Sequence, residues 1–159
     1  FIIVLFSILL VISWIDMERM IIPLNLILIA VVVVVIGVAL QILPWQNSIY
    51  GSIVGPVSFG FVLGITYLIS KRQAMGYGDI QLSAVLGAWQ GPLNILFILF
   101  FASFLSLLVW VIISILFGFD RDRALPFAPF LVVSAVTIFV TEFYMDLSIF
   151  ELFMWIGKL

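Results

Sequence analysis

The feature that most limits what this chain can become is a series of apolar runs of helical length that carry no charge. Residues 24–43 hold one asparagine and one glutamine among aliphatic side chains, and residues 93–117 hold one asparagine and three serines. Crossing about 30 Å of hydrocarbon takes roughly 20 apolar residues as a helix, and a backbone in lipid must satisfy its own hydrogen bonds. The runs therefore predict helices over residues 1–15, 24–43, 49–70, 79–89, 93–117 and 125–140, with Gln90-Gly91-Pro92 separating the fourth from the fifth. Val31 to Val35 is β-branched and would suggest a strand in water, but inside a 20-residue apolar segment it reads as helix. Residues 141–159 place Glu142, Asp146, Glu151 and Lys158 among aromatics, a pattern that predicts a short interfacial helix instead of a seventh span.

Composition narrows the class further. Of 159 residues, 66% are hydrophobic and 9% charged, against about a quarter charged in soluble domains. An ordinary water-soluble fold and a disordered chain are both excluded. The expected fold class is all-α: a polytopic integral membrane protein of about six transmembrane helices. It forms a single membrane-embedded domain over residues 1–159, with the bilayer as a partner. An apolar run starting at Phe1 with no charged leader is what is expected of a fragment lacking an upstream segment or of a processed product.

Cysteine and histidine are both absent, which removes disulfides, thiolate nucleophiles, imidazole bases and their metal sites. No cofactor and no metal is expected, and any catalysis must rest on carboxylates, hydroxyls or lysine. Six basic residues scattered among loops make no phosphate-tracking stripe, so nucleic acid is not an expected partner. Five of those six fall on one side of the expected topology: Arg19 between the first two helices, Lys71 and Arg72 between the third and fourth, Arg121 and Arg123 between the fifth and sixth. The opposite connections, residues 44–48 and 90–92, carry no charge. By the positive-inside rule the charged side faces the cytoplasm, which predicts a multi-pass protein of the plasma (inner) membrane.

Of eight acids, two sit at the inner ends of helices beside apolar sequence: Asp16 in Ser13-Trp14-Ile15-Asp16, and Asp79 in Met75-Gly76-Tyr77-Gly78-Asp79. If their helices bring them together in low dielectric, the two cannot both ionise, and they titrate as a unit. One member can then draw a proton from water while the other donates to a carbonyl oxygen, which is the chemistry of aspartic peptide hydrolysis. Each also has a plainer role. Asp79 suits a helix N-terminus, and Asp16 can pair with Arg19 three residues on.

These residues resemble the signatures of the type IV prepilin peptidases. Trp14-Ile15-Asp16 is followed by Ile22-Pro23, then by Met75-Gly76-Tyr77-Gly78-Asp79-Ile80, then by Pro126-Phe127-Ala128-Pro129-Phe130-Leu131, in the family's order and each at an inner helix end. The resemblance implies a membrane aspartyl endopeptidase of the Gly-x-Gly-Asp class. Such enzymes cut the basic leader from prepilins or pseudopilins at the cytoplasmic membrane face. It also implies Asp16 and Asp79 as the catalytic pair, with support from Gly76, Gly78, Pro23, Pro126 and Pro129. The two glycines would let the backbone set Asp79 close to the scissile bond. Three departures stand out: Gln81 where the family often has lysine, Asn25 displaced from the proline, and Ala128 in place of a familiar glycine. Many bacterial relatives carry an amino-terminal methyltransferase with a paired-cysteine zinc site, and with no cysteine this chain is not expected to methylate.

Two alternatives share some of these features. Presenilin-like proteases also use Gly-x-Gly-Asp, but they pair it with Tyr-Asp and Pro-Ala-Leu, and neither occurs here. A transporter subunit relaying protons or cations through the same aspartates is the other, since intramembrane ionisable residues also mark ion pathways.

Overall fold

The computed structural model describes residues 1–70, 76–120 and 125–145. The expectations for Lys71, Arg72, Arg121, Arg123 and residues 146–159 lie outside the described residues. Six helices and no strand are found among those described: α1 (Ile2–Arg19), α2 (Leu24–Ala39), α3 (Trp45–Ser70), α4 (Tyr77–Gln90), α5 (Pro92–Phe117) and α6 (Ala128–Met145).

Each apolar run forms its helix, but the helix ends depart from the hydropathy boundaries. Hydropathy marks where a chain meets lipid, whereas helix ends are set by caps and prolines. Thus α3 begins at Trp45, four residues before the apolar run, because the Ser48 amide already bonds the Pro44 carbonyl at 3.1 Å. α1 continues through Asp16 to Arg19 and is closed by Met20 in the left-handed region (φ 53°), whose amide returns to the Asp16 carbonyl at 2.9 Å. α4 starts at Tyr77, ahead of Asp79, with Gly76 as its N-cap. α6 starts at Ala128 and not at 125, and it absorbs residues 141–145, which the sequence had assigned to the interfacial segment.

α4 lies at the centre, packed against α2, α3, α5 and α6, while α1 packs on α2 and α6. The α3–α4 crossing is the closest. A Cβ on Gly51 would collide with the Gly87 carbonyl, and one on Gly87 with the Gly51 carbonyl, so the two backbones touch at a spacing only glycine permits. Between α4 and α5 the connection is the single residue Gly91 (φ 90°), after which Pro92 occupies the first turn of α5 where no amide partner is needed.

Leu5, Leu9, Ile12, Leu82, Leu86, Ile95, Ile98 and Leu131 are fully buried between the helices. The outside is also apolar: α5 buries Ile95, Ile98 and Ala102 while Phe100, Leu107, Ile112, Ile115 and Phe117 face outward. A helix hydrophobic all round is one that has lipid or protein on every side. Among the described residues two helices, over Trp45–Ile65 and Pro92–Phe117, are long and apolar enough to cross a membrane. Leu24–Ala39 and Ala128–Phe143 are apolar but shorter.

Candidate active site

Three helices bring the site together by register. At one end of the bundle, Phe6 of α1 meets Trp89 of α4 edge-on with ring centroids 5.5 Å apart. Both also pack on Phe139 of α6, at 5.6 and 5.2 Å. Asp16 lies ten residues along α1 from Phe6, Asp79 ten residues back along α4 from Trp89, and Ala128 eleven back along α6 from Phe139. At 1.5 Å per residue each of these steps covers about 15 Å. α1 runs antiparallel to the other two, so all three steps end at the same level of the bundle.

Direct packing of α1 on α4 had been the condition for the aspartates to meet. The two helices touch at the Phe6–Trp89 end, but α1 packs most broadly on α6, and α6 in turn packs on α4. The carboxylates are thus drawn together through α6. Asp16 is 5% exposed and Asp79 8%, and Asp79 feels the charge of Asp16.

Their partners differ. The Asp16 Oδ2 accepts the backbone amide of Ala128 at 3.0 Å. Arg19, its candidate partner on α1, lies exposed. Asp79 occupies the third position of α4, and its backbone amide donates to the carbonyl of the N-cap Gly76 at 3.2 Å. Its Oδ1 is buried with no hydrogen-bond partner among the described residues. Asp79 lies in the first turn of α4, whereas Asp16, in the last turn of α1, faces the first turn of α6, so each carboxyl has a helix N-terminus beside it, where unpaired amides favour negative charge.

The remaining motif residues fall around this pair. Pro23 is the N-cap of α2, and its carbonyl accepts the amides of Leu26 and Ile27. Ile22, just before it, lies against Gly78, where an added Cβ would come within 2.7 Å of the Ile22 Cβ. Gly78 thus joins the turn after Asp16 to the start of α4. Gly76 is different: its backbone is ordinary (φ −78°, ψ 145°), and among the described residues a Cβ there would make only ordinary contacts, with Asp79 Oδ2 at 3.5 Å and the Gly78 nitrogen at 3.9 Å. Pro129 falls in the first turn of α6, and Pro126, inside the helix expected over 125–140, lies ahead of it, before the capping Phe127. The Phe127 ring packs edge-on against Phe59 of α3 at 5.5 Å.

Sequence reasoning missed the Ala128 amide, because a backbone donor carries no side-chain signature; the one available signal was the proline-rich start of α6. It also passed over Ser13 and Ser83, both buried one turn from the aspartates, Ser13 on α1 and Ser83 on α4. No group of three or more carboxylates stands together among the described residues to hold a metal ion. A groove of about 460 Å³ between α2, α3 and α4 is lined by Val34, Trp45, Ala84 and Ala88. Ala84 and Ala88 lie on the far side of α4 from the stripe of Asp79, Ser83, Leu86 and Gln90, so the groove is separate from the carboxylates.

Comparison with known proteins agrees with the motifs. Residues 3–112 match the type IV leader peptidase family, a stretch that contains both aspartates. The prepilin leader peptidase/N-methyltransferase of Dichelobacter nodosus is 35% identical over 95 residues, covering 60% of this chain and 32% of the relative. Its counterpart from Pseudomonas putida is 33% identical over 91 residues, covering 57% and 32%. A longer match, to the prepilin leader peptidase/N-methyltransferase of Stutzerimonas stutzeri, is 26% identical over 134 residues and covers 79% of this chain and 44% of the relative. The chain thus spans about a third of the length of the first two. No solved structure matches it.

Proposed function

Because the chain belongs to the type IV leader peptidase family, we propose that it is a membrane aspartic endopeptidase. In this reading Asp16 and Asp79 cut the leader from prepilins or pseudopilins at the cytoplasmic face. The observation that carries it is the pair of buried carboxyls on α1 and α4, brought to one level by the Phe6–Trp89–Phe139 contacts, with one Asp79 oxygen lacking a partner among the described residues. A buried unpaired carboxyl oxygen is costly; a water donating to it would satisfy it, as would a substrate carbonyl accepting from it when it carries a proton.

Hydrolysis follows from two carboxyls in opposite protonation states. The ionised one takes a proton from water as the water oxygen bonds the scissile carbonyl carbon, and the neutral one gives its proton to the carbonyl oxygen. The tetrahedral species then collapses as the first carboxyl returns its proton to the leaving nitrogen and the second recovers one from a hydroxyl. The C–N bond breaks, an acid and an amine leave, and both carboxyls are back in their starting states.

The apolar exterior supports a six-span arrangement in the bilayer, with α1, α2, α4 and α6 crossing alongside the two longer helices. The aspartates would then lie at the end where the basic loops gather, and a substrate whose apolar helix is already in the membrane presents its leader at that face. The test is incubation of the purified protein with a prepilin in liposomes, followed by mass analysis of the products. A single cut between basic leader and apolar helix is expected. Absence of cleavage accompanied by proton flux across the liposome would replace this reading with the relay.

A further inference from the structure

The two aspartates are chemically identical but differently held, and the difference originates in α6. The first turn of a helix leaves several amides without intrahelical partners. In α6 nearly all are disposed of locally: Pro129 has no N–H, and the Phe130 and Leu131 amides bond the Phe127 carbonyl at 3.1 and 3.2 Å. The Ala128 amide is left over, and it points at Asp16 Oδ2. Ala128 is fully buried, and Phe127 beside it is braced by Phe59, so this donor is fixed in place. Asp79, by contrast, has a buried Oδ1 with no hydrogen-bond partner among the described residues.

We propose, resting on the peptidase reading above, that the Ala128 amide positions Asp16 as the carboxylate that takes the proton from water, leaving Asp79 as the neutral acid that protonates the scissile carbonyl. A donated amide stabilises the charged form of the carboxyl it bonds. An unpaired oxygen at Asp79 is where a transferable proton can sit and reach a substrate oxygen. Among the described residues the only charged group facing Asp16 from a neighbouring helix is Asp79. α2 contains no titratable residue, the first turn of α6 is apolar, and Glu18 and Arg19 on α1 itself are exposed. The proline-rich motif is then a positioning device, and its working part is a backbone atom.

Two variants isolate that atom. Ala128→Pro and Ala128→Val both enlarge a buried side chain, but only proline removes the N–H, at a first-turn position where proline is otherwise tolerated. Prepilin cleavage by each is measured across pH. The proline variant is expected to lose kcat with KM retained and to move the acid limb of the profile up by about one pH unit, the scale of one hydrogen bond to a charged group. The valine variant is expected to leave the limb where it is. Limbs that move together, or not at all, overturn the proposal.

A second measurement covers a proline variant that does not fold. The carboxyl-carbon resonances of isotope-labelled aspartate are recorded in the wild type and assigned by their loss in Asp16→Asn and Asp79→Asn. Asp16 is expected at the ionised position and Asp79 at the protonated one. The reverse order, or two equivalent resonances, overturns the assignment. Because this readout needs no substrate, a wild type that cleaves nothing ends the peptidase reading while the resonances still judge which aspartate holds the proton.

Discussion

The two glycines that precede Asp79 give a sharp test, because the structure assigns them different work. A Cβ at position 78 would lie 2.7 Å from the Ile22 Cβ and 3.2 Å from two further Ile22 carbons. Ordinary contact begins at 3.4 Å, so α4 or the α1–α2 turn must move by several tenths of an ångström. Overpacking of this kind costs about 1–3 kcal/mol. The movement is delivered between the residue next to Asp79 and the turn that follows Asp16, where a misplacement of about 1 Å is worth roughly a hundredfold in rate. Gly78→Ala is therefore expected to reduce kcat/KM by about tenfold to a hundredfold. Among the described residues, Gly76→Ala meets nothing nearer than Asp79 Oδ2 at 3.5 Å and needs no unusual φ, so its loss should stay within about threefold, or less than 1 kcal/mol. The assay is prepilin cleavage by purified variants, with thermal unfolding in detergent recorded alongside. Equal damage at the two positions, or a fully active Gly78→Ala, would refute the packing argument.

Three further outcomes follow from the packing. Trp89→Ala empties the centre of the aromatic trio and is expected to cost about 3–5 kcal/mol, seen as a lowered unfolding midpoint with a matching loss of cleavage as the register of α1 and α4 slackens. Gly87→Leu, at the backbone contact with Gly51, should prevent the α3–α4 crossing altogether and be read as failure to yield monodisperse protein. Gln90 donates to the Ala135 carbonyl at 2.7 Å while its Oε1 is buried without a partner among the described residues. Gln90→Leu removes both, so its unfolding midpoint should stay close to the wild type, with a net change within about 1 kcal/mol.

What could be read in advance was governed by side-chain chemistry. Long apolar runs identify helices whatever their partners, and a carboxylate at the end of such a run stands out because its burial is expensive. Asp16 and Asp79 are conspicuous for that reason, and so was the likeness to a peptidase family. Hydropathy is silent about backbone geometry, so the sequence could not foretell that α3 begins at Trp45 or that α6 runs past Val140. Nor could it foretell that Pro126 stands outside its helix. It named Gly78 as a motif residue but not Ile22 as its neighbour, because that contact joins residues far apart in the chain. The route by which α1 and α4 are coupled was equally hidden: aromatic rings at Phe6, Trp89 and Phe139 have no sequence spacing in common, and the donor to Asp16 is a main-chain amide. Pairwise tertiary contacts and backbone donors are the two kinds of information a single sequence does not carry.

The central claim is that Asp16 and Asp79 act as one hydrolytic site. The most direct measurement is prepilin leader cleavage in liposomes by the wild type, Asp16→Asn and Asp79→Asn, each variant verified as folded by its unfolding midpoint. The account predicts cleavage by the wild type and a loss of several orders of magnitude in each variant, with the double variant no worse than either single one, as for groups that act as a unit. Substantial cleavage surviving either substitution would contradict it.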